Sequence, residues 1–303
     1  KYGVTRDYLL GLEVVLASGD VIRTGGKALK SVSGFDLTRL ICGSEGTLGV
    51  ITEITVRLIP APPTRATLQA IYSDLETCAK TVSAIIGAGI VPSTLELLDK
   101  VILEAIGKAS GIDFAKEAEA LLLIEVDGED ALVETQGRKI EAFCREHGAI
   151  EVRRAETRAD AEKLWQARRS CGGAVARLRP NYLAEDVTVP VKNLPEMIRR
   201  ITALAEKYQI MIGVLAHAGD GNLHPLIMFD MRDKEEVVRI DQALDELFEA
   251  AIKLGGTLSG EHGIGIAKMK WMELEHSPKA LEVMRGIKKV FDPNNILNPG
   301  SFL

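Results

Sequence analysis

IMIGVLAHAGDGNLHPLIMF, residues 210–229, is two apolar runs separated by a short polar stretch with two glycines. The runs read as strands over 210–217 and 222–229, joined as a hairpin. Asp220-Gly221 is among the strongest two-residue turn signals, because a type I′ turn needs positive φ at both central positions. With those two residues at the turn, 219 faces 222, 218 faces 223 and His217 faces His224. Directly opposed residues share one sheet face with Cβ atoms about 4.5–5.5 Å apart, close enough for two imidazoles to hold one ion.

Working outward, a strand over 183–189 and a helix over 194–208 precede this hairpin, and a long helix over 235–254 follows it. An earlier series has the same character. A strand is expected at 66–71, a helix at 73–87, strand-like and helical segments to 111, a strand at 121–128, a helix at 131–147 and a strand at 150–154. Two such halves, without a precise sequence repeat, point to an α+β layer: an antiparallel sheet covered by helices on one face. Nearer the amino terminus, residues 12–24 form a hairpin closed by Ser18-Gly19-Asp20, and 50–59 alternates as a half-buried strand should. Pro60, Pro62 and Pro63 stop that strand, which makes 60–64 the best boundary in the chain. A helix over 280–291 ends at Asp292-Pro293.

The 303 residues are enough to bury a core without disulfides or metal. Apolar residues at 46% and charged residues at 26% exclude collagen-like, disordered and low-complexity readings. Lys and Arg number 37 against 43 Asp and Glu, with no long single-sign block, so nucleic acid is not an expected partner. The longest apolar runs, such as 121–124 and 211–216, fall far short of the roughly 20 residues a membrane helix needs, so the chain is not membrane-spanning. Cys42, Cys78, Cys144 and Cys171 lack any C-x-x-C spacing and read as reduced, buried thiols in a reducing compartment. Lys1 stands where a starting Met would, and no basic-then-apolar stretch follows, so a fragment of a longer chain is expected.

Five histidines occur, and three of them, His217, His224 and His262, lie in two glycine-rich segments. A lone histidine is usually a half-buried, hydrogen-bonded residue. A cross-strand pair with an acid available is better read as a metal claw. SGEHGIG, residues 259–265, offers that acid in Glu261, and two imidazoles with one carboxylate suit a hydrolytic zinc site or a facial triad with open positions. Spacing leaves open both the metal and whether Glu261 approaches the hairpin. Residues 43–49, Gly-Ser-Glu-Gly-Thr-Leu-Gly, follow an apolar run and lead into a strand. Their amides can cradle a phosphate or press against a flat ring, though a generic loop fits equally well. Arg168 and Arg169 suit a bidentate clamp on a carboxylate, or simply an exposed helix face. Cys171 has no neighbouring His, Asp or Glu to activate it as a nucleophile.

GFDLTRLICGSEGTLGVITEITVRLIP, HAGDGNLHP, SGEHGIGIAK and FDPNNILNPG, in this order, resemble the FAD-linked 2-hydroxy-acid oxidoreductases of the vanillyl-alcohol-oxidase type. The nearest likeness is to glycolate oxidase FAD subunits and D-lactate dehydrogenases. The resemblance runs the length of the chain. It implies the later part of a PCMH-type FAD-binding domain over 1–60, its amino-terminal half apparently absent. A ferredoxin-like cap domain that binds substrate and metal would follow over 61–270, and a helix and tail over 271–303 would return to the FAD domain. It implies FAD along Gly43, Ser44, Glu45, Gly46, Thr47, Leu48, Gly49, Val50 and Ile51, with Asn298 nearby. His217, His224 and Glu261 are implied as ligands of a divalent metal (zinc, manganese or iron), Asn222 and His262 as substrate-facing groups, and Arg168 as the carboxylate clamp. Family members carry a glycine-rich pyrophosphate loop in a longer opening segment, and nothing upstream of Lys1 supplies it.

Relatives acting on longer dicarboxylates have a Thr and a Lys where this chain has Gly172 and Ala184, which favours a small substrate, glycolate or D-lactate. The expected reaction is hydroxyl deprotonation, with His262 as base, followed by hydride transfer to flavin. The reduced flavin would be reoxidised by a partner subunit or quinone. The implied location is cytoplasmic, or peripheral to the inner membrane through that partner. The competing readings are a zinc hydrolase and a non-catalytic scaffold subunit lacking FAD.

Overall fold

The computed structural model describes residues 1–301 other than Asp113. In chain order the elements are α1 (Thr5–Tyr8), β1 (Leu9–Val15), β2 (Val21–Gly25), α2 (Leu37–Ile41), β3 (Val50–Val56), β4 (Thr64–Tyr72), α3 (Leu75–Gly87), β5 (Thr94–Asp99), α4 (Lys100–Ser110), β6 (Ala120–Gly128), α5 (Asp130–Glu146) and β7 (Ala149–Arg154). There follow α6 (Arg158–Arg169), α7 (Cys171–Val175), β8 (Asn181–Ala184), β9 (Val187–Thr188), α8 (Leu194–Tyr208), β10 (Met211–His217), β11 (Asn222–Phe229), α9 (Lys234–Lys253), α10 (Met272–Glu275) and α11 (Pro278–Phe291). The chain divides into two compact units: Lys1 with Pro62–Gly260, and Tyr2–Ala61 with Glu261–Leu303. Glu261 and His262 thus belong to the second. No helix among the described residues is long and apolar enough to cross a membrane.

The larger unit is built on an antiparallel sheet in the order β7-β4-β6-β5-β10-β11-β8, with β9 also paired to β11. Its first four strands, taken in chain order, lie as fourth-first-third-second, the ferredoxin-like arrangement. The second half repeats the theme from β9 through α8, β10 and β11 to α9, and the two halves join where β5 pairs with β10. Helices cover both faces of the sheet, not one. Alternation along β4 sends Ile71 to one face and Tyr72 to the other. Ile71 joins Leu98, Leu121, Leu123, Leu215 and Leu226 in a core closed by Ile102 and Ile106 of α4, Leu164 of α6 and Cys171 and Val175 of α7. Tyr72, fully buried, meets Cys78 of α3 and Cys144 of α5 instead. The expectation of one covered face fails because α4, α6 and α7 are insertions that supply a second apolar layer. Of these only α4 lies in a stretch read as helical from periodicity.

The strand expected over 183–189 is broken into β8 and β9. Pro225 of β11 is the cause, since it has no N–H to offer the facing strand. It accepts one bond at its carbonyl from the Glu185 amide, and regular pairing resumes only at Leu223 with Val187.

The smaller unit holds a three-stranded antiparallel sheet, β2-β1-β3, over a core of Leu12, Val14 and Ile41. The β1–β2 hairpin forms around Ser18-Gly19-Asp20 as read from the sequence. Strand β3 ends at Val56 and is not half-buried. Val50 is 54% and Ile54 55% exposed, because α2 packs on β1 and β2 and leaves the β3 edge uncovered.

Candidate functional site

The hairpin at the centre of the larger unit forms, but in a different register. His217 pairs with Asn222, and His224 with Leu215. The loop is therefore four residues long, 218–221, and not two. The Asp220 amide donates to the His217 carbonyl at 3.3 Å, and the Asp220 side chain accepts from the Asn222 amide at 3.3 Å. Among the loop residues only Gly221, at φ +81°, takes positive φ, so no type I′ turn forms. A slip of two residues keeps every side chain on its face. His217 and His224 remain neighbours diagonally, their ring centroids 5.2 Å apart and their planes at 88°.

A row of directly opposed residues crosses four strands here: Glu96 of β5, His217 of β10, Asn222 of β11 and Thr188 of β9. It lies at the edge of the apolar face formed by Leu98, Leu215 and Leu226, and His217 and Glu96 line a cleft of about 180 Å³. The His217 Nδ1 lies 2.6 Å from Glu96 Oε1. The other Glu96 oxygen accepts from Arg168 Nε at 2.7 Å. Burial pushes the Glu96 carboxyl upward, but the hydrogen bond with His217 and the charge of Arg168 outweigh it and hold the group below its ordinary value. The His224 Nδ1 faces the Glu185 carbonyl at 3.2 Å. A carbonyl only accepts, so that nitrogen carries the proton and Nε2 is the basic atom of the neutral ring. Asn222 is buried, and its carbonyl accepts from the Thr188 hydroxyl at 3.1 Å, which turns its amide N–H groups away from Thr188.

Gly260 ends this unit against the same row. A Cβ there would stand 2.2 Å from Thr188 Oγ1 and 2.8 Å from the Asn222 side chain, so only glycine lets the backbone pass. Sequence reasoning missed Glu96, Glu185 and Asp186. The first stands among the leucines of β5 beside a second buried acid, Asp99, so nothing local singles it out, and the other two form an acid pair inside an expected strand. Both members of that pair are buried, and Asp186 accepts from Ser259 Oγ at 2.6 Å.

In the smaller unit, the loop at 43–49 is held from within. Glu45, at φ +51°, accepts the Ile264 and Gly265 amides at 2.7 and 2.8 Å, and its carbonyl accepts from Asn298 Nδ2 at 2.7 Å. The Ser44 and Thr47 amides are spent on the Ile41 and Ser44 carbonyls, which weighs against a phosphate cradle made of those two. Ser44, Thr47 and Leu48 are buried, Gly49 lies against Val14, and Val50 and Ile51 are exposed. Gly43 and Gly46 take positive φ. His262 Nε2 lies 3.9 Å from Glu261 Oε1, and both side chains are about half exposed. Cys171 is buried and its thiol is pushed up to about 11 by that burial, which removes it as a nucleophile.

A ferredoxin-like antiparallel unit bearing a paired-histidine row, inserted in the chain between the sheet and the tail of a smaller unit, defines a class of protein also found by comparison. The chain belongs to the family of FAD linked oxidases, C-terminal domain, which matches residues 61–302. It is 50% identical over 300 residues to the glycolate oxidase subunit GlcD of Bacillus subtilis, covering 99% of this chain and 64% of that one. It is 37% identical over 305 residues to a mitochondrial D-lactate dehydrogenase [cytochrome] of Arabidopsis thaliana, covering all of this chain and 53% of that protein. The chain therefore spans a little over half to nearly two thirds of these relatives. Among solved structures, p-cresol methylhydroxylase with substrate bound superposes with a TM-score of 0.73 at 17% identity, over 97% of this chain and 64% of that one. That likeness concerns the fold alone.

Proposed function

We propose that this chain takes part in the FAD-dependent oxidation of a small D-2-hydroxy acid, glycolate or D-lactate, to the 2-oxo acid. The proposed centre is a divalent cation on His217, His224 and Glu261. The observation that carries the reading is the pair of imidazoles, 5.2 Å apart, each with Nδ1 turned to a fixed acceptor. That arrangement leaves Nε2 as the basic atom on both rings and suits a borderline cation. Glu261 follows directly on Gly260, and Gly260 packs on Asn222. The loop at 43–51, pinned inside by Glu45 and Asn298 and exposing Val50 and Ile51, suits a flat ring system better than a phosphate.

When bound, the cation supplies positive charge beside the substrate hydroxyl and the flavin supplies the electron acceptor. In this reading Arg168, whose Nε is spent on Glu96, offers its terminal amino groups to the substrate carboxylate. Asn222 donates to a substrate oxygen, and His262 accepts the hydroxyl proton. Gly172 and Ala184 leave no long side chain to engage a second carboxylate. Relatives named as a subunit and as cytochrome-linked support a protein partner as the onward electron acceptor. Anaerobic mixing of the complete protein with glycolate, D-lactate and a panel of other acids tests this. Glycolate or D-lactate should bleach the flavin, and Arg168→Met should raise KM about 10- to 100-fold, the worth of a lost charge-assisted pair. A flavin untouched by every 2-hydroxy acid would refute the proposal.

A further inference from the structure

We infer that Glu96 is a positioning residue that couples the metal claw to the substrate clamp; this rests on the function proposed above. One buried carboxylate has its two oxygens on two different working groups, Oε1 on His217 Nδ1 at 2.6 Å and Oε2 on Arg168 Nε at 2.7 Å. It stands directly opposite His217 in the sheet, so its reach is set by backbone pairing and not by a mobile loop. On His217 it selects the tautomer with the proton on Nδ1, which makes Nε2 the ligand atom and the ring more basic. On Arg168 it fixes the plane of the guanidinium, so that only the terminal amino groups are presented.

A second buried acid separates this role from mere anchoring of the helix. Glu125 accepts from Trp165 Nε1 at 3.1 Å, one turn before Arg168 on α6, and from Thr67 Oγ1 at 3.0 Å. It ties the same helix to the same sheet face without touching either working group.

Glutamine at position 96 keeps the shape but turns an N–H₂ toward one of two donors, so Glu96→Gln must lose one partner or invert the His217 tautomer. In the complete protein, chelator competition with zinc or manganese should show metal affinity falling about 10- to 100-fold, with KM for glycolate or D-lactate rising in the same variant. Glu125→Gln should leave metal affinity unchanged. Nitrogen-15 NMR of the metal-free protein should show His217 protonated at Nδ1 in the wild type and changed in Glu96→Gln. Unchanged metal affinity, KM and tautomer in Glu96→Gln would overturn the inference. Equal loss of metal in Glu125→Gln would also overturn it, by reducing Glu96 to a helix anchor. A wild type that binds no divalent ion would sink the proposed centre instead, while the tautomer measurement would still decide whether Glu96 sets His217.

Discussion

His217 and His224 were legible as a pair because both lie next to a polar turn in otherwise apolar runs. Their true register was not. Asp-Gly signals a two-residue turn only when both residues take positive φ, and here the Asp220 side chain binds the Asn222 amide and holds a wider loop. The pair survived the error because a two-residue slip preserves the face. Glu96 was hidden for the opposite reason: its partners lie 121 and 72 residues away, and no local spacing announces them. The cysteines were expected as buried, reduced thiols: all four are free and Cys78, Cys144 and Cys171 are buried, but Cys42 is only half-buried. Burial raises all three buried thiols, Cys144 and Cys171 to about 11, and suppresses the reactive thiolate. Alkylation of the native protein followed by peptide mass mapping should therefore label the half-buried Cys42 first. Labelling of Cys171 ahead of it would reopen the nucleophile reading.

At the scale of elements, long periodic segments were read within a residue or two. Helix α8 and strand β11 match their expected spans, and α9 nearly does. Errors gathered where tertiary pairing decides, at Pro225 splitting β8 from β9 and at the uncovered edge strand β3. Helix α4 starts at a buried acid. Asp99 caps it, accepting from the Ile102 amide at 3.0 Å and the Val214 amide at 2.8 Å, yet burial pushes its carboxyl up to about 7 from an ordinary 3.8. Between those values the folded chain holds a proton that the unfolded chain has released, so this group's stabilising contribution is complete below about pH 4 and fades as pH rises through 7. Asp99→Asn imitates the protonated form and keeps a competent cap. In urea denaturation, Asp99→Asn should gain on the wild type as pH is raised from 5 to 8, by about 1 kcal/mol or more. A pH-independent gap between the two would show that Asp99 is ordinary.

For the whole molecule, the two β/α halves of the larger unit were legible in the sequence. Helices on the second face of the sheet were not, because α6 is short of apolar positions and α7 is five residues long. The histidine-bearing motifs were legible because their residues lie close together in the sequence, while the buried acids beside them come from other strands and gave no local signal. In the proposed function, His217 and His224 together hold a catalytic divalent ion. Elemental analysis of the complete protein beside His217→Ala and His224→Ala, each checked for an unchanged melting profile, tests it most directly. About one divalent ion per wild-type chain is expected, lost in both variants together with turnover of glycolate or D-lactate. Metal retained in both variants, or undiminished turnover without it, would remove the two histidines as its ligands.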